Sequence, residues 1–327
     1  MNSYEVVLKN KYYLRELIES ITLEDSIDEI AYRATVQLKV TDELAQVGIA
    51  PGDAIRVSGI PYGGNSMVYL LHPGVVWECD SKASSGTKHI EVTIYDKTIY
   101  LDKSEDEYLF ASGTTASQRI KQYCNDWGIT ISNIPDTGIQ LAKAVYRSQS
   151  IYSMIQSDTK ETAQKGGKLY KPRMTPNGFE LYEIGSNANP YTLELAENIE
   201  QNRTLEGVIT RVKVLGNAEE DQRSPVLAVV KGETDKYGTL QKVLQDEKIT
   251  NASQANTAGQ KLLSGVQEKF SVTGPDVNTI RAGDKVILND MELIVVSVQH
   301  ELGNPGHMNL DLASMDYVRR NYYAESV

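Results

Sequence analysis

An internal duplication is the feature of this sequence that most restricts its fold. Ala50-Pro51-Gly52-Asp53 precedes an alternating strand, and Arg281-Ala282-Gly283-Asp284 precedes another one far along the chain. Gly tolerates positive φ, and the Asp side chain can bond to neighbouring backbone, so each Gly-Asp pair predicts a turn before a strand. Three strand-like segments follow each turn in the same order: 54–57, 75–80 and 88–96 in the first copy, and 285–288, 293–300 and 307–316 in the second.

The segments around these turns have the pattern of short β-strands. Residues 31–40 and 89–95 alternate between apolar and polar side chains with a period of two. Several such strands with turn residues between them favour a small barrel over a parallel sheet with crossover helices. We therefore predict a mainly β protein with two related small β-barrel modules.

The middle of the chain has a different pattern, which predicts an α+β domain. A charged connector at 102–107 leads to capping residues at 112–115 and an amphipathic helix that ends at Gly128. A second helix is predicted from Ser150 towards Gly166-Gly167, and a hairpin around Pro176-Asn177-Gly178 follows it.

At 327 residues the chain is long enough for two or three domains. We predict a first β-barrel module at 1–101, the α+β middle domain at 102–203, a second β-barrel module at 204–318 and a C-terminal tail at 319–327. A helical insertion near 235–267 is expected to interrupt the second module, with Ser253 as a possible helix cap.

Composition excludes several classes of function. The net charge of −11 argues against a nucleic-acid or anionic-membrane surface, which would need clustered Lys and Arg. The two cysteines, Cys79 and Cys124, indicate small buried hydrophobes and synthesis in a reducing cytoplasm rather than a disulfide framework. No signal peptide or long apolar run is found, so neither secretion by a signal peptide nor a membrane span is expected. The 19 Tyr residues favour protein interfaces and assembly.

The sequence contains no motif typical of catalysis, cofactor binding or metal binding. His300-Glu301 and His307 lack the helical spacing of a zinc protease, and we expect surface histidines there. Asp53 and Asp284 could form a paired catalytic or metal site, but turn chemistry explains them better. The acidic run 102–107 lacks the spacing of a calcium loop and is interpreted as a solvated linker. We predict no catalytic, cofactor-binding or metal-binding residues, and we assign Gly52, Asp53, Gly283 and Asp284 as the structural turns of the repeat.

The order of these parts resembles the baseplate hub family of contractile phage tails, including the prophage type called XkdQ/YqbQ and the late-control D group. The segment from Leu17 to Thr35 is similar to that family's opening hairpin, and the segment from Glu206 to Val214 is similar to the start of its second barrel. The turn at 281–284 adds to the likeness, which covers nearly the whole chain.

The resemblance implies a structural protein that forms a homotrimer, in which two modules per chain make a quasi-sixfold ring. Such a symmetry adaptor would join the hexameric tail tube protein to the trimeric central spike protein, with baseplate wedge and other tail proteins as neighbours. No sequence-specific nucleic-acid binding and no membrane are implied. Synthesis in the bacterial cytoplasm and incorporation into a phage or a tail-like bacteriocin are expected. A tail protein that binds cell-wall glycan or hydrolyses peptidoglycan is the alternative, because two carboxylates brought together by the fold need no local motif.

Overall fold

The computed structural model describes residues 3–84, 87–217, 222–246 and 249–324. The chain divides into two compact units, one made of Met1–Glu200 with Phe270–Val327 and one made of Gln201–Lys269. The boundaries at 101, 203 and 318 predicted from the sequence remain predictions. No described helix is long and apolar enough to cross a membrane.

The first β-rich part begins the larger unit. Its strands are β1 (Tyr4–Leu8), β2 (Tyr12–Tyr13), β3 (Ile18–Ser26), β4 (Arg33–Lys39), β5 (Ala54–Gly59), β6 (Val68–Ser84) and β7 (Thr87–Asp96), with a 3-10 turn at Arg15–Leu17 and helix α1 at Asp42–Val47. Strand β6 is longer than the run expected at 75–80, because its first part pairs with β5 and its second part with β7.

The middle of the chain packs two helices against short sheets. Its elements are α2 (Ile99–Lys103), β8 (Glu105–Phe110), α3 (Ala116–Asp126), β9 (Ile131–Asn133), β10 (Ala144–Ser150), α4 (Ile151–Gln164), β11 (Tyr170–Thr175) and β12 (Gly178–Glu183). Thr115 and Gln118 form a capping box that starts α3, and Ser150 caps α4, so both predicted helices are confirmed. The run 102–107 was expected to be a linker, but α2 ends in it and β8 begins in it. Its expected exposure to solvent holds for Glu105 and Glu107.

The smaller unit has its own three-stranded sheet and a helix. It holds β15 (Arg211–Leu215), β16 (Val226–Lys231), α5 (Thr234–Tyr237), β17 (Gln241–Gln245) and α6 (Ala252–Leu262). The expected helical insertion therefore contains a strand as well, because β17 pairs in parallel with β15. Asn251, and not Ser253, caps α6 by accepting a hydrogen bond from the Gln254 amide.

The remaining elements complete the duplication. They are β13 (Tyr191–Thr192), β14 (Asn198–Thr204), β18 (Gln267–Pro275), β19 (Lys285–Leu288), β20 (Met291–Leu302), β21 (His307–Ala313) and α7 (Met315–Tyr322). Thirteen of the described strands form one sheet in the order β14-β18-β21-β20-β3-β4-β7-β6-β5-β1-β2, with β19 on β20 and β13 on β19. The mainly β fold class is confirmed, with helices concentrated in the middle of the chain.

Alternation along the strands builds a separate core beneath each copy. In β4 the buried residues Ala34, Val36 and Leu38 alternate with more exposed ones, and they pack with the other apolar residues of the first copy. In β21 the residues Met308, Leu310 and Leu312 repeat this pattern for the second copy. Each fully buried Leu or Val contributes roughly 1.5–3 kcal/mol, so the apolar faces fix which side of each strand points inwards.

Candidate assembly site at the duplicated turns

The first turn is held by a fixed set of hydrogen bonds. Gly52 has a φ of +93° and donates its amide to the Val76 carbonyl at 2.8 Å. The Asp53 amide donates to the Ala50 carbonyl at 3.1 Å, and the Ala50 amide donates back to Oδ2 of Asp53 at 2.9 Å. The Val76 amide then donates to the Asp53 carbonyl at 2.9 Å. The turn thus fastens the start of β5 to the middle of β6.

The second turn repeats each of these bonds. Gly283 has a φ of +91° and donates its amide to the Val295 carbonyl at 2.7 Å. The Asp284 amide donates to the Arg281 carbonyl at 3.0 Å, and the Arg281 amide donates to Oδ2 of Asp284 at 2.8 Å. The Val295 amide donates to the Asp284 carbonyl at 2.9 Å. The two turns therefore have equivalent conformations and equivalent partners.

The equivalence continues into the strands. The pairing of β6 with β7 shifts register between Val76 and Glu78, and the pairing of β20 with β21 shifts between Val295 and Ser297. Both irregularities begin at the residue that bonds to the turn. A β-bulge increases local twist, so the two copies bend at the same place.

The two aspartates differ in their cationic partners. Oδ2 of Asp53 lies 3.2 Å from the Lys9 ammonium in a partly exposed pair. Oδ1 of Asp284 lies 2.9 Å from the Arg173 guanidinium in a mostly buried pair. The structure thus gives each carboxylate its own partner. Within the described residues, no group of three or more His, Cys, Asp or Glu is arranged to hold a metal ion.

Asp284 belongs to a buried set of charges that we call the Asp25 cluster, formed by Asp25, Lys171, Arg173, Arg281 and Asp284. The Asp25 side chain is fully buried, and its Oδ1 lies 3.0 Å from the Lys171 ammonium. Its Oδ2 lies 2.5 Å from Nε of Arg281. Lys171 also donates to the Glu29 carbonyl at 2.8 Å and to the Ser26 carbonyl.

Burial and charge act in opposite directions on these groups. Burial alone would raise the pKa of the Asp25 carboxyl, but the charges of Arg281, Lys171 and Arg173 outweigh it and hold the pKa well below its usual range. Burial lowers the pKa of the Lys171 ammonium, and the negative charge of Asp25 offsets part of that effect. Asp25 is therefore the anion on which the buried cations depend.

Aromatic rings complete the surroundings of the two guanidinium groups. The Arg281 guanidinium lies 3.6 Å from the centre of the Tyr32 ring, and the Arg173 guanidinium lies 3.5 Å from that of Tyr182. Cation-π contacts of this kind are stronger when the cation has lost its water. The rings therefore hold both side chains in place beside the second turn.

The Asp25 cluster joins three parts of the chain. Asp25 lies on β3 of the first copy, Lys171 and Arg173 lie on β11 in the middle of the chain, and Arg281 begins the second turn. The sequence does not reveal this site because its members are far apart in the chain. One local signal existed, since Leu23 and Asp25 share a strand face and alternation places a carboxylate in the core.

The two copies also share backbone hydrogen bonds. Strand β3 pairs antiparallel with β20 from Ile21 opposite Leu302 to Ser26 opposite Ser297. Leu302 is buried in the core of the first copy, although its strand belongs to the second. The Asn278 amide group adds a bond to the Ile60 carbonyl at 2.9 Å. The sheet therefore continues from one copy into the other.

His300 on β20 is buried, so the expected surface position was wrong. Its Nδ1 lies 2.7 Å from Oδ1 of Asp276, and its Nε2 lies 2.8 Å from the Ile280 carbonyl oxygen. It faces inwards because alternation along β20 places Val298, His300 and Leu302 on one side. His307 is partly exposed, 3.6 Å from Glu197.

A second buried ion pair joins helices α3 and α4 in the middle of the chain. Arg119 on α3 lies 2.7 Å from Oδ1 of Asp158 on α4, and both side chains are fully buried. The hydroxyl groups of Tyr123 and Tyr146 also donate to Asp158. Burial raises the pKa of Asp158, while the Tyr146 hydrogen bond and the Arg119 charge oppose that rise. This network orients the two helices against each other.

The cysteines differ in exposure. Cys124 is buried in the middle-domain core, where burial raises the pKa of its thiol to about 12. Cys79 on β6 is half-buried, and burial followed by the charges of Asp53, Asp80 and Glu78 raises its pKa too. Both are free thiols with little thiolate at neutral pH.

Comparison with known proteins gives one family and several solved structures. The family described as YQBQ-like matches residues 10–313. The prophage MuSo2 43 kDa tail protein from Shewanella oneidensis has a TM-score of 0.69 at 12% identity, covering 96% of this chain and 99% of its own. The tail protein from Neisseria meningitidis MC58 has a TM-score of 0.67 at 12% identity, covering 98% of each chain.

A third structure with this fold is a component of a type VI secretion system. The E. coli c3393 protein, a component of the type VI secretion system with structural similarity to T4 bacteriophage tail proteins gp27 and gp5, has a TM-score of 0.54 at 10% identity and covers 92% of this chain and 74% of its own. At these identities the likeness establishes the fold alone. No curated protein sequence matches significantly.

Proposed function

This chain belongs to the YQBQ-like family, and on that premise we propose that it is the structural hub of a contractile phage tail baseplate or a phage tail-like particle. The family that matches agrees with the XkdQ/YqbQ prophage type that the sequence resembles. The Shewanella and Neisseria structures are tail proteins by name, and the E. coli protein is similar to phage tail proteins. These likenesses support a role as a structural protein of the tail.

We further propose a homotrimer in which the two copies of each chain form a ring of six similar modules. The observation that carries this proposal is the equivalence of the turns at Gly52-Asp53 and Gly283-Asp284, down to the bulge that follows each. A trimer of duplicated chains offers quasi-sixfold contacts on one side and threefold contacts on the other. Such a ring can join a hexameric tail tube to a trimeric central spike, with wedge and other tail proteins around it.

The proposed role is non-enzymatic. The buried carboxylates have structural partners: Asp25 holds Lys171 and Arg281, and Asp158 holds Arg119. Asp96 accepts hydrogen bonds from the amides of Tyr32 and Thr98. The proposal includes synthesis in the bacterial cytoplasm and incorporation into the particle. Incubation of the purified protein with peptidoglycan tests it, because release of muropeptides that one carboxylate substitution abolishes would contradict a purely structural role.

The trimer is tested by mass. Multi-angle light scattering of the purified chain, alone and with the spike protein from the same particle, is expected to give three times the 36.3 kDa chain mass at high concentration. A chain that remains a monomer at every concentration, also with the spike, would overturn the proposal. Co-purification with the tail tube protein tests the proposed contact between the ring and the tube.

A further inference from the structure

The ring of His300 bridges the two ends of a short loop. Residues 276–280, which we call the 276–280 loop, connect β18 to the second turn. Nδ1 of His300 lies 2.7 Å from Oδ1 of Asp276, the first residue of the loop. Nε2 lies 2.8 Å from the carbonyl oxygen of Ile280, the last residue. One imidazole ring on β20 therefore closes the whole loop.

Both partners of this ring accept hydrogen bonds. A backbone carbonyl oxygen has no hydrogen to donate, so Nε2 of His300 must carry one. A carboxylate oxygen also only accepts, and a neutral imidazole has a single N–H group, so neither neutral tautomer can bond to both partners. A second ring proton satisfies both contacts. Because a carboxyl group is ordinarily a stronger acid than an imidazolium, that proton is expected on the ring.

The surroundings of His300 pair a positive ring with one carboxylate. The ring is fully buried, and in the sheet it lies opposite the apolar residues Leu23 of β3 and Met308 of β21. The Asp276 side chain is buried as well. Its Oδ2 has no hydrogen-bond partner within the part of the chain that the structure describes. A buried carboxylate is costly without a cation, and the imidazolium supplies one.

Other ionisable groups near Asp276 come from β1, from the β3–β4 connection and from the second turn. Burial, followed by the charge of Asp276, raises the pKa of the Tyr4 phenol. Burial also raises the pKa of Tyr32, although the charge of Arg281 opposes it. Both phenols are therefore neutral at ordinary pH, and Arg281 is paired with Asp25. Histidine is the side chain that ordinarily changes its charge near neutral pH.

We propose that His300 is a buried imidazolium that acts as a proton-dependent clasp on the 276–280 loop. The loop links the two copies, since Asn278 bonds to the first copy and Arg281, which follows the loop, pairs with Asp25. Loss of the proton leaves a ring lone pair facing a buried acceptor, which favours an open loop. The loop is therefore closed while the proton is bound and opens as the pH rises. The clasp is a property of the single chain and does not depend on the proposed trimer.

Solid-state 15N spectra of the full chain, labelled with 15N only at its four histidines, test the state of the ring. A neutral imidazole has one unprotonated ring nitrogen, and an imidazolium has none. At pH 8, unprotonated signals are expected from His72, His89 and His307 but not from His300. His89 is the internal control, because its Nδ1 also lies 2.7 Å from a carboxylate oxygen, that of Glu19, near the surface. Gln substitutions of the other three histidines, one at a time, assign the signals, and an unprotonated signal from His300 would overturn the proposal.

Asp276→Asn is the matched variant. Its side-chain amide can donate to Nδ1, so a neutral His300 keeps both contacts and a fourth unprotonated signal is expected at pH 8. Hydrogen exchange read by mass spectrometry, corrected for the intrinsic effect of pH, measures opening of the 276–280 loop from pH 6 to 10. Protection of the wild-type loop is expected to fall about tenfold as His300 loses its proton, because a buried hydrogen bond is lost.

The same protection should stay constant in Asp276→Asn, and circular dichroism verifies that this variant folds. Protection that stays constant in the wild type while His300 becomes neutral would show that the proton does not hold the loop. Protection that falls equally in both proteins would also contradict the clasp.

Discussion

Nε of Arg281 donates to Oδ2 of Asp25 at 2.5 Å, although 256 residues separate them in the sequence. The first residue belongs to the second turn and the other to a strand of the first copy. Lys171 of the middle domain binds the other carboxylate oxygen. One carboxylate thus connects the two copies with the strand β11 that lies between them in the sequence. Its removal tests that connection.

Asp25→Asn is expected to lower the free energy of unfolding by about 3–5 kcal/mol, because Lys171 and Arg281 are then buried without an anion. Urea denaturation followed by circular dichroism measures the change. Glu24→Gln, on the same strand, is the control: its ion pair with Arg33 is partly exposed, and about 0–1 kcal/mol is expected. Equal losses for the two substitutions would show that the Asp25 cluster stabilises the fold no more than a partly exposed ion pair does.

Acid is expected to reduce the difference in stability between the wild type and Asp25→Asn. The pKa of Asp25 in the folded chain lies below its ordinary value of 3.8. Such a group stabilises fully above its unfolded pKa, and the contribution is lost as pH falls through the folded value. The stability difference should stay constant from about pH 5 to 7 and shrink below about pH 4. Urea titrations of both proteins at pH 3, 4, 5 and 7 measure the difference in their free energies of unfolding. A difference that grows on acidification would contradict a lowered pKa of Asp25 in the folded chain.

Alanine substitutions at the two turn glycines should separate the cost of a side chain at positive φ from the cost of a close contact with the added Cβ atom. Both glycines have a φ near +90°, where an L side chain costs about 1–2 kcal/mol. A Cβ on Gly52 would meet nothing within 4 Å, while one on Gly283 would lie 3.3 Å from an Nη atom of Arg173. Thermal unfolding is expected to show the larger loss for Gly283→Ala. A larger loss for Gly52→Ala would contradict the description of the second turn as the more crowded one.

The buried pair of the middle domain should show a rescue. Arg119→Met leaves the Asp158 carboxylate without its cation, and we expect a loss of about 3–5 kcal/mol. The double substitution Arg119→Met with Asp158→Leu removes both charges and should recover much of that loss. Chemical denaturation measures the free energy of unfolding of both variants. A double variant less stable than the single one would show that Asp158 stabilises the fold through its tyrosine partners instead.

Local chemistry made part of this fold predictable. Thr115 and Ser150 begin the helices expected from their capping side chains, and the hairpin forms around Asn177-Gly178 as expected. Such features depend on residues a few positions apart. The expectation of turns at Gly52-Asp53 and Gly283-Asp284 had the same basis, whereas their use in a hub remains a proposal.

Long-range features could not be predicted in the same way. His300 was expected at the surface because a turn follows it, but alternation along β20 directs it inwards. Its two polar partners, Asp276 and the Ile280 carbonyl, lie 24 and 20 positions earlier in the chain and are not visible in the local pattern. Strand β17 was not predicted, because it lies in a segment expected to be helical and pairs in parallel with the distant strand β15. Parallel strands are not joined by a short turn that the sequence could show. The Asp25 cluster depends on residues 146 and 256 positions apart, and no short pattern encodes such distances.

The pairing of β3 with β20 also determines the order in which the chain can fold. Glu24 and Gln299 face each other across 275 residues, and at about 5–20 residues per second a ribosome needs roughly 14–55 s to make that stretch. The β3–β4 hairpin can form early, so its outer side must wait for its partner. Glu19 and Glu24 lie on that strand, and charged side chains on an open edge discourage aggregation during the delay.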